Sequence, residues 1–272
     1  MPACELCGAV RSEVAVCVGE HRVVRCSGCG LGQLDPRPKP AALSGLYGED
    51  YFSRHQTMTA DTDDQLAARV AGQGYLVRFI RRYRRAGSLL DIGCASGYFL
   101  ARAREAGYEV CGLEISEWAV KQGKERLGLN THQGTIGSAD FNPASFDVIT
   151  MWHVVEHLDE PISDLTTIRN WLKPDGVLVV ACPNAGSFDA KKYGVEWAGW
   201  RIPYHIWHFT PKSLGILLTE CGYEVLHLKT TYSQWMKQRL RRLPVLTVVR
   251  NVVSSCFTGR DMWVVARPAK GC

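Results

Sequence analysis

The chain has 272 residues, 46% hydrophobic and 22% charged, which is the composition of a folded globular protein and excludes a disordered one. Its net charge of +5 suits an anionic ligand or substrate but falls short of the strongly basic character of nucleic-acid-binding proteins. No apolar run approaches the roughly 18 residues that span a bilayer, and no signal peptide is visible, so we expect a cytoplasmic protein without a membrane partner.

Paired cysteines mark the first segment, residues 1–40. Two Cys-x-x-Cys-Gly motifs, one with Cys4 and Cys7 and one with Cys26 and Cys29, are separated by 18 residues. This spacing is typical of a zinc ribbon, in which four thiolates hold one tetrahedral Zn²⁺. Four thiolates leave no open coordination position, so the predicted zinc is structural. A redox or iron–sulfur site is the alternative interpretation.

The rest of the chain predicts a helical linker or lid at 41–85 and an α/β domain at 86–272. Short apolar strands alternate there with helical patterns, which indicates a doubly wound, mostly parallel sheet of seven strands. Glycines at 107, 128 and 222 are expected to end helices. The predicted strands are 88–93, 109–114, 130–133, 146–151, 176–182, 223–230 and 262–267, and the predicted helices are 97–107, 116–127, 161–172 and 211–221.

A glycine turn follows the first of these strands and predicts a nucleotide-binding edge. Asp91 ends the strand, Gly93–Gly97 forms the turn into a helix, and Glu114 ends the next strand, where a carboxylate can bind both ribose hydroxyls. The turn lacks the G-x-G-x-x-G pattern of dinucleotide sites, and the chain has no P-loop motif. A carboxylate at Asp91 would repel a pyrophosphate but would attract a cationic ligand. The charge at this position therefore favours S-adenosylmethionine over NAD or ATP.

Several segments together resemble the class I S-adenosylmethionine-dependent methyltransferases, in particular the branch that modifies small molecules. These segments are 91–97, 145–149, 153–158, 172–178, 208–214 and 221–223. The resemblance implies that the backbone at Gly93–Ala95 holds the methionine part, that Glu114 binds the ribose, and that Ile115, Thr135 and Ile136 flank the adenine. The full set of predicted cofactor-binding residues is Asp91, Gly93, Cys94, Ala95, Gly97, Tyr98, Phe99, Glu114, Ile115, Thr135, Ile136 and Trp152.

Histidines supply the candidate catalytic groups. His153 follows a predicted buried strand at the cofactor edge, where it could remove a proton from an acceptor hydroxyl. With Glu156 and His157 it also matches the H-x-x-E-H spacing of some metalloproteases, but the motif is not on a helix and has no evident third ligand. His205 and His208 lie in the aromatic loop 197–208, which we interpret as a wall of the acceptor site. The alternative is that the loop tryptophans are core residues and a histidine binds the loop backbone.

The sequence therefore predicts methyl transfer from S-adenosylmethionine to a small molecule such as a sugar, a polyketide or another secondary metabolite, with O-methylation favoured. An RNA base methyltransferase that uses the zinc ribbon to bind RNA is the main alternative. A non-enzymatic zinc-ribbon adaptor is a third, against which the intact Asp91, Gly93 and Glu114 argue. Nucleic acid is not favoured as a partner, and a homo-oligomer remains an open option.

Overall fold

The computed structural model describes residues 3–38, 62–241 and 252–270. The elements in chain order are β1 (Ser12–Val18), β2 (His21–Cys26), β3 (Gly32–Asp35), α1 (Asp63–Gly72), α2 (Gly74–Ile80), β4 (Gly87–Ile92), α3 (Tyr98–Glu105), β5 (Tyr108–Glu114), α4 (Glu117–Leu127), β6 (Thr131–Gln133), β7 (Phe146–Trp152), α5 (Pro161–Trp171), β8 (Leu172–Pro183), α6 (Phe188–Tyr193), β9 (Trp207–His208), α7 (Pro211–Glu220), β10 (Tyr223–Tyr232), α8 (Gln234–Arg241) and β11 (Thr258–Pro268).

Seven strands form one large mixed sheet in the order β10-β11-β8-β7-β4-β5-β6. Strands β6, β5, β4, β7 and β8 pair in parallel, and β11 runs antiparallel between β8 and β10. The seven predicted strands and four predicted helices are all present. Most of their ends lie within a few residues of the predicted ends. Strand β8 begins four residues earlier than predicted because 172–175 continues the extended backbone before Gly176. The doubly wound α/β prediction is confirmed.

Alternating side chains of the central strands bury both faces of this sheet. On β4, Leu90 and Ile92 belong to one apolar cluster, whereas Leu89 belongs to a second cluster on the opposite face. Successive side chains of a strand point to opposite faces, so continuous apolar runs are required where both faces are covered. The Leu89 face packs against α2 and α3 through residues such as Phe79 and Leu100.

Helix ends follow local capping rules. Ser116 caps the N-terminus of α4 by accepting a hydrogen bond from the Ala119 N–H, and Gly128 ends the helix with a φ of 57°. Glycine reaches this left-handed conformation without the steric cost of a Cβ. The glycines predicted at helix ends, 107 and 222, also have positive φ angles, of 93° and 77°.

The cysteine-rich segment is joined to the rest of the chain by a second, four-stranded sheet of order β1-β2-β3-β9. Strand β9 comes from the aromatic loop, and it pairs with β3 so that Gly32 lies opposite His208 and Gln33 opposite Trp207. Val23 and Leu34 are fully buried in the same apolar cluster as Phe209. The sheet therefore crosses the predicted boundary at residue 40.

Residues 41–61 of the predicted linker or lid lie outside the described residues. Helices α1 and α2 occupy most of its remainder, and Thr62 caps α1 in a capping box with Gln65. Within the described ranges, we find no helix with the length and apolar character that crossing a bilayer requires.

Candidate cofactor and acceptor site

The sheet order reverses at β4, which pairs with β5 on one side and β7 on the other. In open α/β sheets, ligands bind at such a switch point, outside the carboxyl ends of the strands. Asp91 is the penultimate residue of β4 at this edge, and its Oδ1 accepts a hydrogen bond of 2.6 Å from the Thr150 hydroxyl on β7. Both side chains are buried. Thr150 is not predictable from the sequence, because a lone threonine within an apolar strand gives no functional signal.

Burial controls the charge of Asp91. It raises the pKa of this carboxyl to about 8, opposed by the Thr150 hydrogen bond and reinforced by the negative charge of Glu114. The carboxyl is therefore mainly protonated at neutral pH until a cation approaches it. An ammonium group would restore the carboxylate, so this position fits the amino group of a methionine moiety.

The glycine turn keeps the backbone close to this carboxyl. Gly93, Ala95 and Gly97 have φ angles of 67°, 49° and 82°. A Cβ on Gly93 would lie 2.5 Å from Cγ2 of Val154, so the turn has no room for a side chain there. Ala95 adopts the same left-handed conformation as its glycine neighbours, and its Cβ makes that conformation costlier.

Glu114 connects the glycine turn to the next strand. Its Oε2 accepts the Ala95 N–H at 2.8 Å, and its Oε1 accepts the Ser116 N–H at 3.0 Å. The side chain is buried, and burial raises its pKa despite these hydrogen bonds. A carboxylate held in this way at the end of β5 has the position and acceptor capacity that a ribose diol requires.

Aromatic side chains continue the site from the carboxyl ends of β4 and β7. Trp152 ends β7, and its ring packs edge-on against Phe99 at 5.4 Å between centroids. The indole N–H of Trp152 is buried and has no hydrogen-bond partner among the described residues. Cys94 is buried beneath the turn, and Tyr98 lies under the guanidinium of Arg69. The structure thus places Trp152, Phe99 and the glycine turn in one region.

The predicted adenine-flanking residues have different environments. Ile115 is exposed at the end of β5, whereas Ile136 is buried in the large apolar cluster. Thr135 is exposed and caps a short 3₁₀ turn, Ile136–Ser138, through its hydrogen bond with the Ser138 N–H. Contact of these three residues with adenine remains a prediction.

A histidine–glutamate pair follows β7 at the same edge. The Nδ1 atom of His153 lies 3.3 Å from Oε1 of Glu156, and the His153 side chain is 43% exposed whereas that of Glu156 is 1% exposed. The His153 backbone has a φ of 59° and is held by a hydrogen bond from its N–H to the Ala181 carbonyl. Left-handed φ angles at non-glycine residues are uncommon and are concentrated at functional sites.

The electrostatics of this pair favour a charged carboxylate beside a basic imidazole. Burial opposes ionisation of Glu156, but the hydrogen bond and charge of His153, with the nearby His205 and His157, lower the pKa of Glu156 to about 2. Partial burial opposes protonation of His153, and the hydrogen bond and charge of Glu156 outweigh it, so the pKa of His153 is raised. A carboxylate that orients an imidazole in this way is typical of general-base pairs.

The aromatic loop is packed between the two sheets. Trp197, Trp200 and Trp207 are buried, and the Trp200 indole donates to the Gly194 carbonyl. His205 and His208 are buried as well, and burial lowers the pKa of each to about 3. The pKa shifts of His205 and His208 are thus opposite in direction to that of His153. A catalytic role for either residue remains a prediction.

The four paired cysteines meet at one end of the small sheet. Sγ of Cys4 lies 3.6 Å from Sγ of Cys29, and Sγ of Cys7 lies 3.5 Å from Sγ of Cys26. All four sulfurs lie within 4.8 Å of one another, and the cysteines are not disulfide-bonded. Tetrahedral Zn²⁺ with bonds of about 2.3 Å holds its sulfurs roughly 3.8 Å apart, so the donor set fits this ion.

Comparison with known proteins identifies the family of the chain. Residues 65–228 match the family model described as methyltransferase domain. The chain belongs to the methyltransferase family. It is 29% identical over 194 residues to a ubiquinone biosynthesis O-methyltransferase of Cereibacter sphaeroides, covering 66% of this chain and 72% of that one. The chain is therefore an S-adenosylmethionine-dependent class I methyltransferase.

Solved methyltransferase structures share the fold. A SAM-dependent methyltransferase from Archaeoglobus fulgidus superimposes with a TM-score of 0.55 at 22% identity, covering 73% of this chain and 93% of that one. The magnesium protoporphyrin IX methyltransferase of Synechocystis, solved with bound SAH, gives a TM-score of 0.59 at 12% identity, covering 85% and 100%. The seven-stranded class I methyltransferase sheet is confirmed.

Proposed function

We propose that this methyltransferase O-methylates a hydroxyl group of a small molecule, such as a sugar, a polyketide or another secondary metabolite, with His153 as the general base. The observation that carries the proposal is the His153–Glu156 pair at the end of β7. The imidazole is partly exposed at the edge where the cofactor-binding turn lies, and the carboxylate that orients it is buried. The ubiquinone biosynthesis O-methyltransferases among its relatives support oxygen as the acceptor atom.

In this proposal, one set of residues binds the methyl donor and another activates the acceptor hydroxyl. When bound, S-adenosylmethionine supplies an electrophilic methyl group on a sulfonium. Asp91 would pair with the amino group, Glu114 would accept the ribose hydroxyls, and the turn at Gly93 would admit the methionine part. His153 would take the hydroxyl proton at Nε2, while Nδ1 stays hydrogen-bonded to Glu156. Alignment and proton removal are what an enzyme contributes to an in-line displacement.

The tetrathiolate cluster supports a separate proposal, that Cys4, Cys7, Cys26 and Cys29 hold a structural zinc ion. The donor set leaves no coordination position for a substrate. Lys212 of α7 donates to the Gly28 carbonyl in the second cysteine motif, at 2.7 Å. The zinc would thus stabilise the small sheet and its contacts with the α/β domain.

Substitution of His153 tests the catalytic proposal. The His153→Gln variant should lose roughly 100-fold or more of its turnover with a hydroxylated small-molecule acceptor, the usual contribution of a general base. Its dissociation constant for S-adenosylhomocysteine should be unchanged. His132→Gln, an exposed histidine on β6, is the matched control and should retain full turnover.

A panel of possible methyl acceptors distinguishes small-molecule methylation from RNA methylation. Sugars, phenols and polyketide hydroxyls should yield S-adenosylhomocysteine at a rate that depends on His153. Methylation of RNA with none of these small molecules accepted would contradict the proposal, as would full turnover in His153→Gln.

A further inference from the structure

A second group of potential metal ligands shares Glu156 with the His153–Glu156 pair. It consists of Glu156 and His157, on the short 3₁₀ turn Val155–His157 after β7, and His205 from the aromatic loop. One ligand atom of each residue lies within 4.8 Å of those of the other two. The Ile206 N–H donates to the Glu156 carbonyl at 3.0 Å, which fixes the loop against the turn. The third ligand that the sequence motif lacked is therefore supplied by a residue 49 positions away.

Both histidines are oriented by the backbone. Nδ1 of His157 lies 2.8 Å from the Tyr204 carbonyl, and Nδ1 of His205 lies 2.9 Å from the Gly199 carbonyl. A carbonyl only accepts, so Nδ1 carries the proton in each ring and Nε2 carries the lone pair. Metal-binding histidines are fixed in this way, with the non-coordinating nitrogen donating to a carbonyl or carboxylate.

The relative position of the two rings also suits a shared ion. Their centroids are 4.7 Å apart and their planes are nearly perpendicular, at 83°. Nε2 of His205 points toward the carboxylate and lies 4.0 Å from Oε1 of Glu156, beyond hydrogen-bond distance. Ligand atoms around Zn²⁺ bonded at about 2.0–2.1 Å lie roughly 3.3 Å apart, so side-chain rotations that move these atoms by about 1 Å would complete the site.

One oxygen of the Glu156 carboxylate has no hydrogen-bond partner among the described residues. Glu156 is 1% exposed, and this oxygen, Oε2, is itself buried. An unpaired buried carboxylate oxygen is costly, because it has lost its water without gaining a donor. The other oxygen, Oε1, faces both His153 and His205. A cation held by the carboxylate beside His205 would compensate the charge of the whole group and could be reached by Oε2 as a second ligand atom.

We propose that Glu156, His157 and His205 form a second metal site, separate from the four cysteines, that binds one divalent transition-metal ion of the Zn²⁺ class. Two imidazoles and one carboxylate are a donor set for Zn²⁺ and its neighbours, whereas Mg²⁺ and Ca²⁺ prefer oxygen ligands alone. Three protein ligands leave a further coordination position, unlike the tetrathiolate cluster. The site does not depend on the acceptor chemistry proposed above.

Cobalt substitution of the full chain distinguishes the two sites. Protein stripped of metal is titrated with Co²⁺, which gives thiolate charge-transfer absorption at the cysteine cluster and only ligand-field bands at a nitrogen–oxygen site. The wild-type chain should bind two equivalents. Both His205→Gln and His157→Gln should bind one, with the thiolate absorption unchanged.

Matched variants control for misfolding. His208→Gln removes a neighbouring, equally buried histidine that is outside the ligand set, and it should still bind two equivalents. Cys26→Ser should weaken the thiolate absorption, because three of the four sulfur ligands remain, and this assigns those bands to the cysteine cluster. If the buried histidine variants do not fold, X-ray absorption of the wild-type zinc protein should still show nitrogen and oxygen ligands beside sulfur. One equivalent with sulfur ligands alone, or a second equivalent that persists in His205→Gln, would overturn the proposal.

Discussion

We expect Asp91 to couple cofactor binding to proton release. Its carboxyl is buried beside Glu114, which raises its pKa to about 8 and keeps it mainly protonated at pH 7. An amino group of the cofactor beside Asp91 would favour the carboxylate, so binding should lower this pKa. We therefore expect close to one proton to be released at pH 7, and affinity to rise as the pH increases toward 8.

Calorimetry measures this release directly. The observed enthalpy of S-adenosylhomocysteine binding should differ between phosphate and Tris, which have different ionisation enthalpies. The Asp91→Asn variant should bind more weakly and lose the buffer dependence. Equal enthalpies in both buffers for the wild-type chain would show that Asp91 is already ionised before binding.

The glycine turn allows a paired test of backbone conformation. Ala95 has a φ of 49°, so Ala95→Gly should retain cofactor binding and raise the free energy of unfolding by up to about 1 kcal/mol. Gly93→Ala should instead abolish binding, because the new Cβ would lie 2.5 Å from Cγ2 of Val154. Chemical denaturation and calorimetric titration of both variants measure the two effects. Equal binding by both variants would contradict the assigned geometry of the turn.

One carboxylate connects three strands of the large sheet by hydrogen bonds, at the sheet edge opposite the candidate cofactor site. Oδ2 of Asp147 on β7 accepts from the N–H and hydroxyl of Ser88 on β4, both at 2.9 Å, and from Lys173 on β8 at 2.7 Å. Burial works against its ionisation, but the Lys173 and Ser88 hydrogen bonds outweigh it and lower the pKa of Asp147. The stabilisation is therefore complete above the unfolded pKa of about 4 and is lost as the pH falls through the lower, folded value.

The Asp147→Asn variant tests this contribution to the sheet. At pH 7 it should lower the free energy of unfolding by roughly 1–3 kcal/mol, since several hydrogen bonds to a charged group are weakened. The difference from wild type should shrink below pH 4. Urea denaturation at several pH values provides the measurement, and a difference that is constant between pH 3 and pH 7 would contradict this origin.

The elements of the large sheet were predictable because their signals are local. A buried parallel strand is a continuous apolar run, and the helices between carry their own caps at residues such as Ser116 and Gly128. Strand β9 was not predictable, because two residues have no periodicity and their pairing with β3 joins positions far apart in the chain. The structure shows the tryptophans of this loop as core residues, which the composition alone could not distinguish from a pocket wall.

The candidate site was predictable to a similar extent. Asp91, Gly93 and Glu114 were identified because a turn after a strand and an acid at the next strand end have fixed spacing. The proximity of His205 to Glu156 depends on tertiary packing of residues separated by 49 positions, which no motif records. The burial of Glu156 likewise follows from the loop that covers it.

At the scale of the whole molecule, the shared sheet links the cysteine cluster to the aromatic loop that carries His205. Strand β3 pairs with β9, and the Leu34 N–H donates to the Ile206 carbonyl, next to His205. The Trp207 indole donates to the Leu158 carbonyl, directly after the turn Val155–His157. Loss of the ribbon should therefore disturb the turn that carries Glu156 and leave the glycine turn at β4 intact.

Disruption of the cysteine cluster tests this coupling. In Cys26→Ser, backbone hydrogen exchange should accelerate at 32–35 and also at 205–208, because the ribbon and the loop share hydrogen bonds. Methyl transfer should fall while the dissociation constant for S-adenosylhomocysteine stays within about threefold of wild type. Asp91 and Glu114 are held by hydrogen bonds with Thr150, Ala95 and Ser116, which belong to the large sheet and its turns. Faster exchange confined to the cysteine-rich segment, with methyl transfer unchanged, would instead mean that the ribbon is an independent unit. A mutation in a proposed structural metal site would thus act on the acceptor chemistry through two short strands.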